Sequence, residues 1–280
     1  MKKIQIISLG IMFVIGVSMV MMSCKKEEEK LIPKQMVEIN GITYNLLDWD
    51  NTATVIKRNY PAEPYKGNIE IPSIVQYAGR TYTVTAIGDS AFYKSDSLEA
   101  VVIPDGVITI GNHAFEMCLR LIDVTLGENI QFIGNNAFYK NDSLEAIIIP
   151  NEVIIIGDHA FEMCPLLGNI ALGKNVRSIG VSAFSGCHLI FVDIPKSVKM
   201  ISEKAFYGNE KLDSVAVHWE IPLTITPDVF ALDGRDVTLI VPQGTRDLYE
   251  NAPGWGEFNP IKEEPVIEEP AIEEEEFVEE

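Results

Sequence analysis

Three cysteines recur at one position of a repeated segment, and thiols in such a pattern could form a disulfide, bind zinc or act as nucleophiles. Cys118, Cys164 and Cys187 each follow a phenylalanine by three residues. A zinc site needs a tighter cluster of ligands than this spacing provides. The shared repeat position predicts a shared buried environment and favours free thiols that pack as small apolar side chains. A bridge between Cys164 and Cys187 remains the alternative, because stacked repeats would bring them near the lower end of disulfide Cα distances.

A His-x-x-Glu pair also recurs, and a pair of this kind could ligate a metal ion. His113 with Glu116 and His159 with Glu162 stand two repeats apart, which corresponds to roughly 10 Å at strand spacing. One metal ion cannot bridge that distance, so we expect a solvated loop face and no metal site. The chain has no Gly-x-Ser-x-Gly motif, no catalytic-cysteine context and no phosphate-binding loop. The sequence therefore predicts no enzyme and no cofactor.

The elements that must position these residues follow from a repeated Ile-Gly-x-x-Ala-Phe motif. Its phenylalanines are spaced by 22 to 24 residues, within the range of solenoid repeats. They are Phe92, Phe115, Phe138, Phe161, Phe184, Phe206 and Phe230. Between them runs Leu-x-x-Val-x-Ile-Pro, whose period of two predicts a short strand with one buried face. A lone coil cannot bury its apolar residues, so coils stacked at ~4.8 Å should share one core.

The glycine of each motif, such as Gly111 or Gly157, is expected to allow a tight bend. The alanine after it is small enough for neighbouring coils to approach closely, and the phenylalanine should fill the interior of its own coil. These features together predict a β-rich solenoid. Such a narrow solenoid does not readily provide the concave pocket that catalysis needs.

The complete repeat, Leu-x-x-Val-x-Ile-Pro-x-x-Val-x-x-Ile-Gly-x-x-Ala-Phe-x-x-Cys, resembles the BspA-type leucine-rich repeat of surface proteins in Bacteroides and relatives. The resemblance covers about residues 67–260, although the last two repeats depart from the motif, with Ser202 in place of glycine and a degenerate segment before Phe230. It implies a right-handed stack of coils of about 23 residues with short helical turns. It also implies adhesion to host matrix proteins or to other bacteria.

The N-terminus predicts a membrane anchor. Residues 1–23 have two lysines followed by an apolar run and read as a signal peptide. Met21-Met22-Ser23-Cys24 resembles a bacterial lipobox, which implies a lipidated Cys24 and a tether over residues 24–35. An uncleaved membrane-spanning anchor is the alternative, because ~20 apolar residues can cross a bilayer. The charged segment Lys25–Glu29 resembles the surface-export signal of Bacteroidetes lipoproteins, so we expect an outer-membrane lipoprotein that faces the cell exterior.

The remaining chain is predicted to form one leucine-rich repeat domain over residues 36–262. A β-rich N-terminal cap is expected over residues 36–85 and a C-terminal cap over residues 237–262. Residues 263–280 contain ten glutamates and no basic residue, so we expect a disordered acidic tail. The formal net charge of −19 argues against nucleic-acid binding, which depends on basic residues that neutralise phosphates. We expect a monomer.

The predicted binding surface is the outward row of the repeated strands. In Leu-x-x-Val-x-Ile, the residue between the last two buried positions must point outward. This rule, with Phe191 added because it adjoins the fifth coil's outward residue, gives Val102, Thr125, Ile148, Ala171, Phe191, Asp193, Ala216 and Ile240. The row is apolar for a solvent face, which indicates either β-propensity alone or contacts with a partner.

From this row we predict a non-catalytic surface protein that binds an extracellular protein or glycan. The alternative is an accessory or structural lipoprotein of a nutrient-capture or cell-envelope complex. Asp-Ser followed by an apolar residue is also similar to the O-glycosylation signal of Bacteroides envelope proteins. The candidate sites are Ser90, Ser97, Ser143 and Ser214. Asp and Ser are also ordinary turn residues, which is the alternative explanation of this pattern.

Overall fold

The computed structural model describes residues 35–59 and 62–265, all of which belong to one compact unit, Lys34–Glu280. The predicted signal peptide, the lipidation site at Cys24 and residues 266–280 of the acidic tail lie outside these described residues. Within the described part, neither of the short helices has the length and apolar composition needed to cross a bilayer.

Six strands precede the first complete coil: β1 (Gln35–Ile39), β2 (Ile42–Leu47), β3 (Thr52–Val55), β4 (Lys66–Glu70), β5 (Ile74–Tyr77) and β6 (Arg80–Ile87). β1, β2 and β3 pair antiparallel in order, and β5 pairs antiparallel with β6. β3 then joins β6 in parallel. Tyr65 covers the end of the core, where its ring lies 4.5 Å from that of Phe92.

Each repeat contributes a first and a second strand, which alternate along the chain. They are β7 (Ser97–Val102), β8 (Thr109–Ile110), β9 (Asp123–Thr125), β10 (Phe132–Ile133), β11 (Ala146–Ile148), β12 (Ile155–Ile156), β13 (Asn169–Ala171), β14 (Ser178–Ile179), β15 (Phe191–Ile194), β16 (Met200–Ile201) and β17 (Ser214–Val217). The second strands pair in parallel from β8 to β16 and continue the sheet of the N-terminal cap. The predicted β-rich solenoid is confirmed. We call the outward surface of the first strands the front face and that of the second strands the back face.

The core is a column of stacked phenylalanine rings. From Phe92 to Phe230, neighbouring ring centroids lie 4.8 to 5.5 Å apart and the ring planes differ by no more than 7°. The spacing matches the strand separation, because each coil contributes one ring per ~4.8 Å step. Leucine, isoleucine and valine from both strands of every coil surround the column. The result is one continuous core that no single coil could form.

The Ala-Phe segment of each coil is a series of turns, which differs from the short helical turns that the resemblance implied. In the second coil, His113 and Met117 adopt left-handed backbone conformations, with φ of 57° and 59°. Alternate N–H groups bond to the next coil: Phe115 donates to the carbonyl of Ala137 and Met117 to that of Tyr139. Because these groups pair between coils, they are not available for the i to i−4 bonds of a helix.

The repeat glycines were expected to allow a tight bend, and the structure shows that they serve close packing between coils. Gly157 has no positive φ, whereas His159, two residues later, has a φ of 57°. A Cβ on Gly157 would lie 2.7 Å from the backbone nitrogen of Asn135 in the preceding coil. Glycine is therefore required because the coils touch backbone to backbone at this corner.

A ladder of side-chain hydrogen bonds follows this glycine corner. The side chain of the residue after the glycine accepts a hydrogen bond from the backbone N–H of its counterpart in the next coil. The backbone N–H of Asn135 donates to Asn112 Oδ1 at 2.8 Å, and that of Asp158 donates to Asn135 Oδ1 at 2.9 Å. Asp89 is the first acceptor of the ladder and bonds to the backbone N–H of Asn112. Asp158 is the last acceptor and bonds to the backbone N–H of Val181. These bonds join consecutive coils on the outside of the turn.

The C-terminal cap contains a 3-10 helix (Pro227–Val229), β18 (Thr238–Val241), α1 (Arg246–Glu250) and β19 (Ile261–Glu263). Phe258 packs edge-on against Phe230 with centroids 5.1 Å apart, which closes the phenylalanine column. The predicted start of the disordered tail at residue 263 is wrong, because Glu263 pairs with Val241 and Glu264 donates its N–H to the Val241 carbonyl at 2.8 Å. The parallel ladder carries ordered backbone past the predicted boundary.

Candidate functional site

The residues of the predicted binding surface lie on the strands of the front face. The register pairs are Val102 with Thr125, Ile148 with Ala171, Asp193 with Ala216, and Ala216 with Ile240. Ile148 is 73% exposed, and Val102 and Phe191 are 41% and 43% exposed. Each belongs to a strand whose alternate residues are buried in the core. Three large apolar side chains therefore face solvent on one surface.

The C-terminal end of this row is not the exposed surface that was predicted. Ala216 is only 7% exposed and Ile240 is half-buried. The register sets the short Ala216 side chain between Asp193 and Ile240, which are both larger. The end of the row is also polar, because His218 bonds to Asp193 at 2.6 Å through Nε2 and to Glu264 at 2.9 Å through Nδ1. The exposed apolar part of the row is limited to the earlier coils.

The front sheet is interrupted in the middle of the row. Strands β4, β7 and β9 form one sheet, and a second sheet is formed by β11, β13, β15, β17, β18 and β19, so no ladder joins β9 to β11 within the described residues. An open depression of about 490 Å³ lies at this break, lined by Thr125, Ile148 and Ala171 among others. The break coincides with the most exposed residue of the row. The candidate surface is therefore a groove beside Ile148 and not a flat stripe.

A second outward row, which lies on the back face and has three apolar members, was not predicted from the sequence. Its register gives Thr109, Phe132, Ile155, Ser178 and Met200. Ile155 is 39% and Met200 is 55% exposed. The same alternation could have predicted this row, because each member directly precedes a buried strand isoleucine. Because both faces carry exposed apolar residues, exposure alone does not identify the face that binds a partner.

The three described cysteines are free and buried, as the first interpretation expected, and no bridge joins Cys164 to Cys187. Each thiol donates to a phenylalanine carbonyl of the preceding coil, as Cys118 does to Phe92 at 3.1 Å. Burial raises the pKa of the Cys118 thiol to about 12. Burial, together with the Cys164 side chain, also raises the pKa of Cys187. Raised values keep a thiol protonated and unreactive, because the thiolate is the nucleophile.

Asparagine stands in place of cysteine at this position in two coils, at Asn141 and Asn209. Asn141 donates through Nδ2 to the carbonyls of Phe115 and Phe138, at 3.0 and 2.7 Å. The sequence predicted apolar packing at this position, whereas cysteine and asparagine both donate hydrogen bonds to phenylalanine carbonyls there. The exchange of cysteine for asparagine is the signal that could have revealed it, because both side chains can donate to a carbonyl.

The repeated His-x-x-Glu pairs are local contacts on the turn surface. His113 bonds to Glu116, and His159 Nδ1 lies 2.6 Å from Glu162 Oε2. Within residues 35–59 and 62–265, no group of three or more potential metal-ligating side chains comes together. His113 and His159 thus each pair with a carboxylate of their own coil.

The four candidate glycosylation sites differ in accessibility. Ser97 is exposed at the start of β7. Ser143 is half-buried, and its hydroxyl donates to the Leu119 carbonyl at 2.8 Å. Ser214 bonds to the neighbouring Asp213 at 3.2 Å, and Ser90 has a left-handed backbone with φ of 56°. Modification of these serines stays a prediction, and Ser97 has the most accessible hydroxyl.

Solved structures of bacterial leucine-rich repeat proteins are similar to the chain. A leucine rich cell surface protein of Faecalibacterium prausnitzii A2-165 is 22% identical over 81% of this chain and 76% of its own length, with a TM-score of 0.52, and shares the fold. A leucine-rich repeat protein of Bacteroides capillosus ATCC 29799 is 35% identical over 42% of this chain and 84% of its own length, with a TM-score of 0.39. A leucine-rich repeat protein of Bacteroides ovatus ATCC 8483 is 20% identical over 81% and 76%, with a TM-score of 0.46.

The repeats themselves match a known family. No curated protein sequence shows significant similarity to the chain. The family model of the BspA type leucine-rich repeat region, however, matches residues 85–213 in six copies. These residues contain six of the seven stacked phenylalanines, from Phe92 to Phe206. The chain therefore contains a BspA-type leucine-rich repeat region over residues 85–213.

Proposed function

We propose that the chain is a non-catalytic cell-surface protein that uses its front face to bind an extracellular protein or glycan. The observation that supports this most directly is Ile148, which is 73% exposed at the edge of the groove between β9 and β11. A large exposed isoleucine beside an open groove offers a contact that a partner can bury. The F. prausnitzii relative is described as a cell surface protein. The fold itself carries no information about the partner.

The test is a binding screen of the full chain against extracellular matrix proteins and glycans, followed by two double variants. Ile148→Glu with Phe191→Glu should weaken binding of the selected ligand by about tenfold or more, because two buried apolar contacts become charged. Ile155→Glu with Met200→Glu places the same charges on the back face and is the matched control. Loss of binding only in the control would move the site to the back face.

The proposed location is the outer surface of the outer membrane, with a lipid on Cys24. The support is the signal-like sequence and the lipobox-like residues that precede Cys24. Cys24→Ala should abolish labelling by a radioactive or clickable fatty acid. Protease treatment of intact cells should then digest the wild-type domain if it faces outward. A domain that survives protease on intact cells but not after lysis would instead belong to a periplasmic accessory protein.

A further inference from the structure

One coil of the solenoid lacks a residue in its loop, and this leaves a depression in the surface. Two residues lie between Cys118 and Leu121 and between Cys164 and Leu167, whereas only one lies between Cys187 and Leu189. The loop before β15 is therefore shorter than its neighbours. An open depression of about 600 Å³ lies here, and we call it the notch. Its lining residues are Glu145, Leu166, Gly168, Asn169, His188, Ile190 and Lys211.

A second irregularity coincides with the missing residue. The residue just before the first strand carries a side chain in the neighbouring coils, as with Glu145 and Ile190, but is Gly168 in the fourth. The backbone continues through it, because Gly168 donates to Glu145 at 3.0 Å and accepts from Ile190 at 3.1 Å. A Cβ on Gly168 would meet nothing closer than the His188 carbonyl oxygen at 3.6 Å. The floor of the notch is therefore open, because Gly168 has no side chain and the neighbouring residues do not fill the space.

The fold holds the notch in shape from below. Asn209 is 1% exposed, and it donates to the carbonyls of Phe184 and Phe206 at 2.9 and 2.8 Å. Its Oδ1 accepts the N–H of Leu189 at 3.1 Å, at the point where the loop is shortened. All these groups are buried, so the hydrogen bonds fix the short loop in one conformation. The notch exists before any ligand binds, which lowers the entropic cost of binding.

The lining of the notch combines apolar walls with unpartnered polar groups. Leu166 and Ile190 are 51% and 52% exposed, and the exposed Phe191 ring follows directly. Glu145, Asn169, His188 and Lys211 are also exposed. Within the described residues, neither Lys211 nor His188 forms an ion pair with a carboxylate. The notch therefore offers one cation, one carboxylate, an amide and an imidazole around apolar surface.

We propose that the notch binds an acidic sugar, that is, a pyranose bearing a carboxylate within an extracellular glycan. A pyranose has C–H faces that fit Leu166, Ile190 and the Phe191 ring, and hydroxyls that can bond to Glu145 and Asn169. Lys211 supplies the ammonium that pairs with the sugar carboxylate. This inference rests on the proposed function, and it narrows the partner to one class of glycan.

The test uses the full chain and a glycan array of matched pairs, in which each uronic or sialic acid glycan has a counterpart whose carboxyl group is reduced to an alcohol. The wild-type chain should retain carboxylated members about tenfold more strongly than their reduced counterparts. Lys211→Ala should remove this preference. Gly168→Leu should abolish retention of both members, because its side chain fills the notch.

Two variants serve as controls for charge and for added bulk. Lys174→Ala removes an exposed lysine outside the notch, and Glu99→Leu places leucine at the position equivalent to Gly168 in another coil. Both should bind like the wild type, and all four variants should melt within a few degrees of it. Equal retention of carboxylated and reduced glycans, or no retention of either, would overturn the notch assignment. If a protein ligand still bound the Ile148 surface in that case, the proposed function would stand without the notch.

Discussion

The glycine corner and the loop that carries the notch differ in the space they leave for an added side chain. At the corner, a Cβ on Gly157 would lie 2.7 Å from the backbone of the preceding coil. At the loop, a Cβ on Gly168 would have its nearest neighbour at an ordinary contact distance of 3.6 Å. The two glycines are eleven residues apart in the chain. The repeat is conserved between coils where backbones touch, and it varies where side chains face solvent.

This difference shows where a solenoid can acquire a specific site. A change at the corner must move a whole coil, because interiors are packed without spare volume. A residue deleted from the loop leaves the Phe184 and Phe206 rings stacked, with centroids 5.5 Å apart. The loop can therefore change its chemistry while the core retains its register.

The largest expected effect is on stability and concerns the packed phenylalanine column. Phe138→Ala should lower the free energy of unfolding by ~3–5 kcal/mol, because it removes a buried ring between Phe115 and Phe161 and leaves a cavity. Tyr139→Ala changes the neighbouring half-buried residue and should cost much less. The measurement is urea denaturation of both variants. Equal costs would mean that the ring column is not the main source of stability.

The next effect concerns the asparagine that supports the shortened loop. Asn209→Ala should cost ~2–4 kcal/mol, because three buried backbone groups lose their partner. Asn141→Ala should cost ~1–3 kcal/mol, since only two carbonyls lose a donor there. Asn141→Cys should be milder still, because cysteine occupies this position in the flanking coils. Chemical denaturation of the three variants should give this order, and a larger loss for Asn141→Ala would contradict the role of Asn209 in the notch.

The smallest effect compares the two glycines directly. Gly157→Ala should destabilise the fold by ~1–3 kcal/mol, because the added methyl group pushes against the backbone of the preceding coil. Gly168→Ala should stay within ~0.5 kcal/mol of the wild type, as for other surface positions. Thermal melting measures both. A destabilised Gly168→Ala variant would indicate that the notch floor is packed more tightly than its geometry implies.

The sequence was sufficient to predict the parts of the fold that repeat with fixed spacing. Phe138 and its counterparts fixed the core, and the alternation around Ile147 fixed the strands. It was not sufficient for features that depend on contacts between coils. The left-handed His113, the packed Gly157 and the buried Ala216 all follow from what the adjacent coil places beside them, and local pattern does not encode that.

The candidate site was predictable only in part for the same reason. Alternation correctly assigned Ile148 to an exposed position, but it gave no sign that the sheet would break beside it. The missing residue between Cys187 and Leu189 was visible as the one 22-residue step among steps of 23 and 24 residues. The sequence did not show that this deletion leaves a depression, because that depends on Gly168, which the fold places beside the shortened loop.

The parallel ladder of the back sheet also determines how the domain can fold. Phe132 pairs with Ile155, and Ile155 pairs with Ser178, so each coil docks onto residues one repeat away in the chain. The entropy lost in closing that loop is the same for every added coil, because loop cost depends on loop length. Once a few coils have associated, folding can spread in both directions by equal steps. A domain of this kind gains length without requiring contacts between distant parts of its chain, which keeps its contact order low and its folding fast for a β protein.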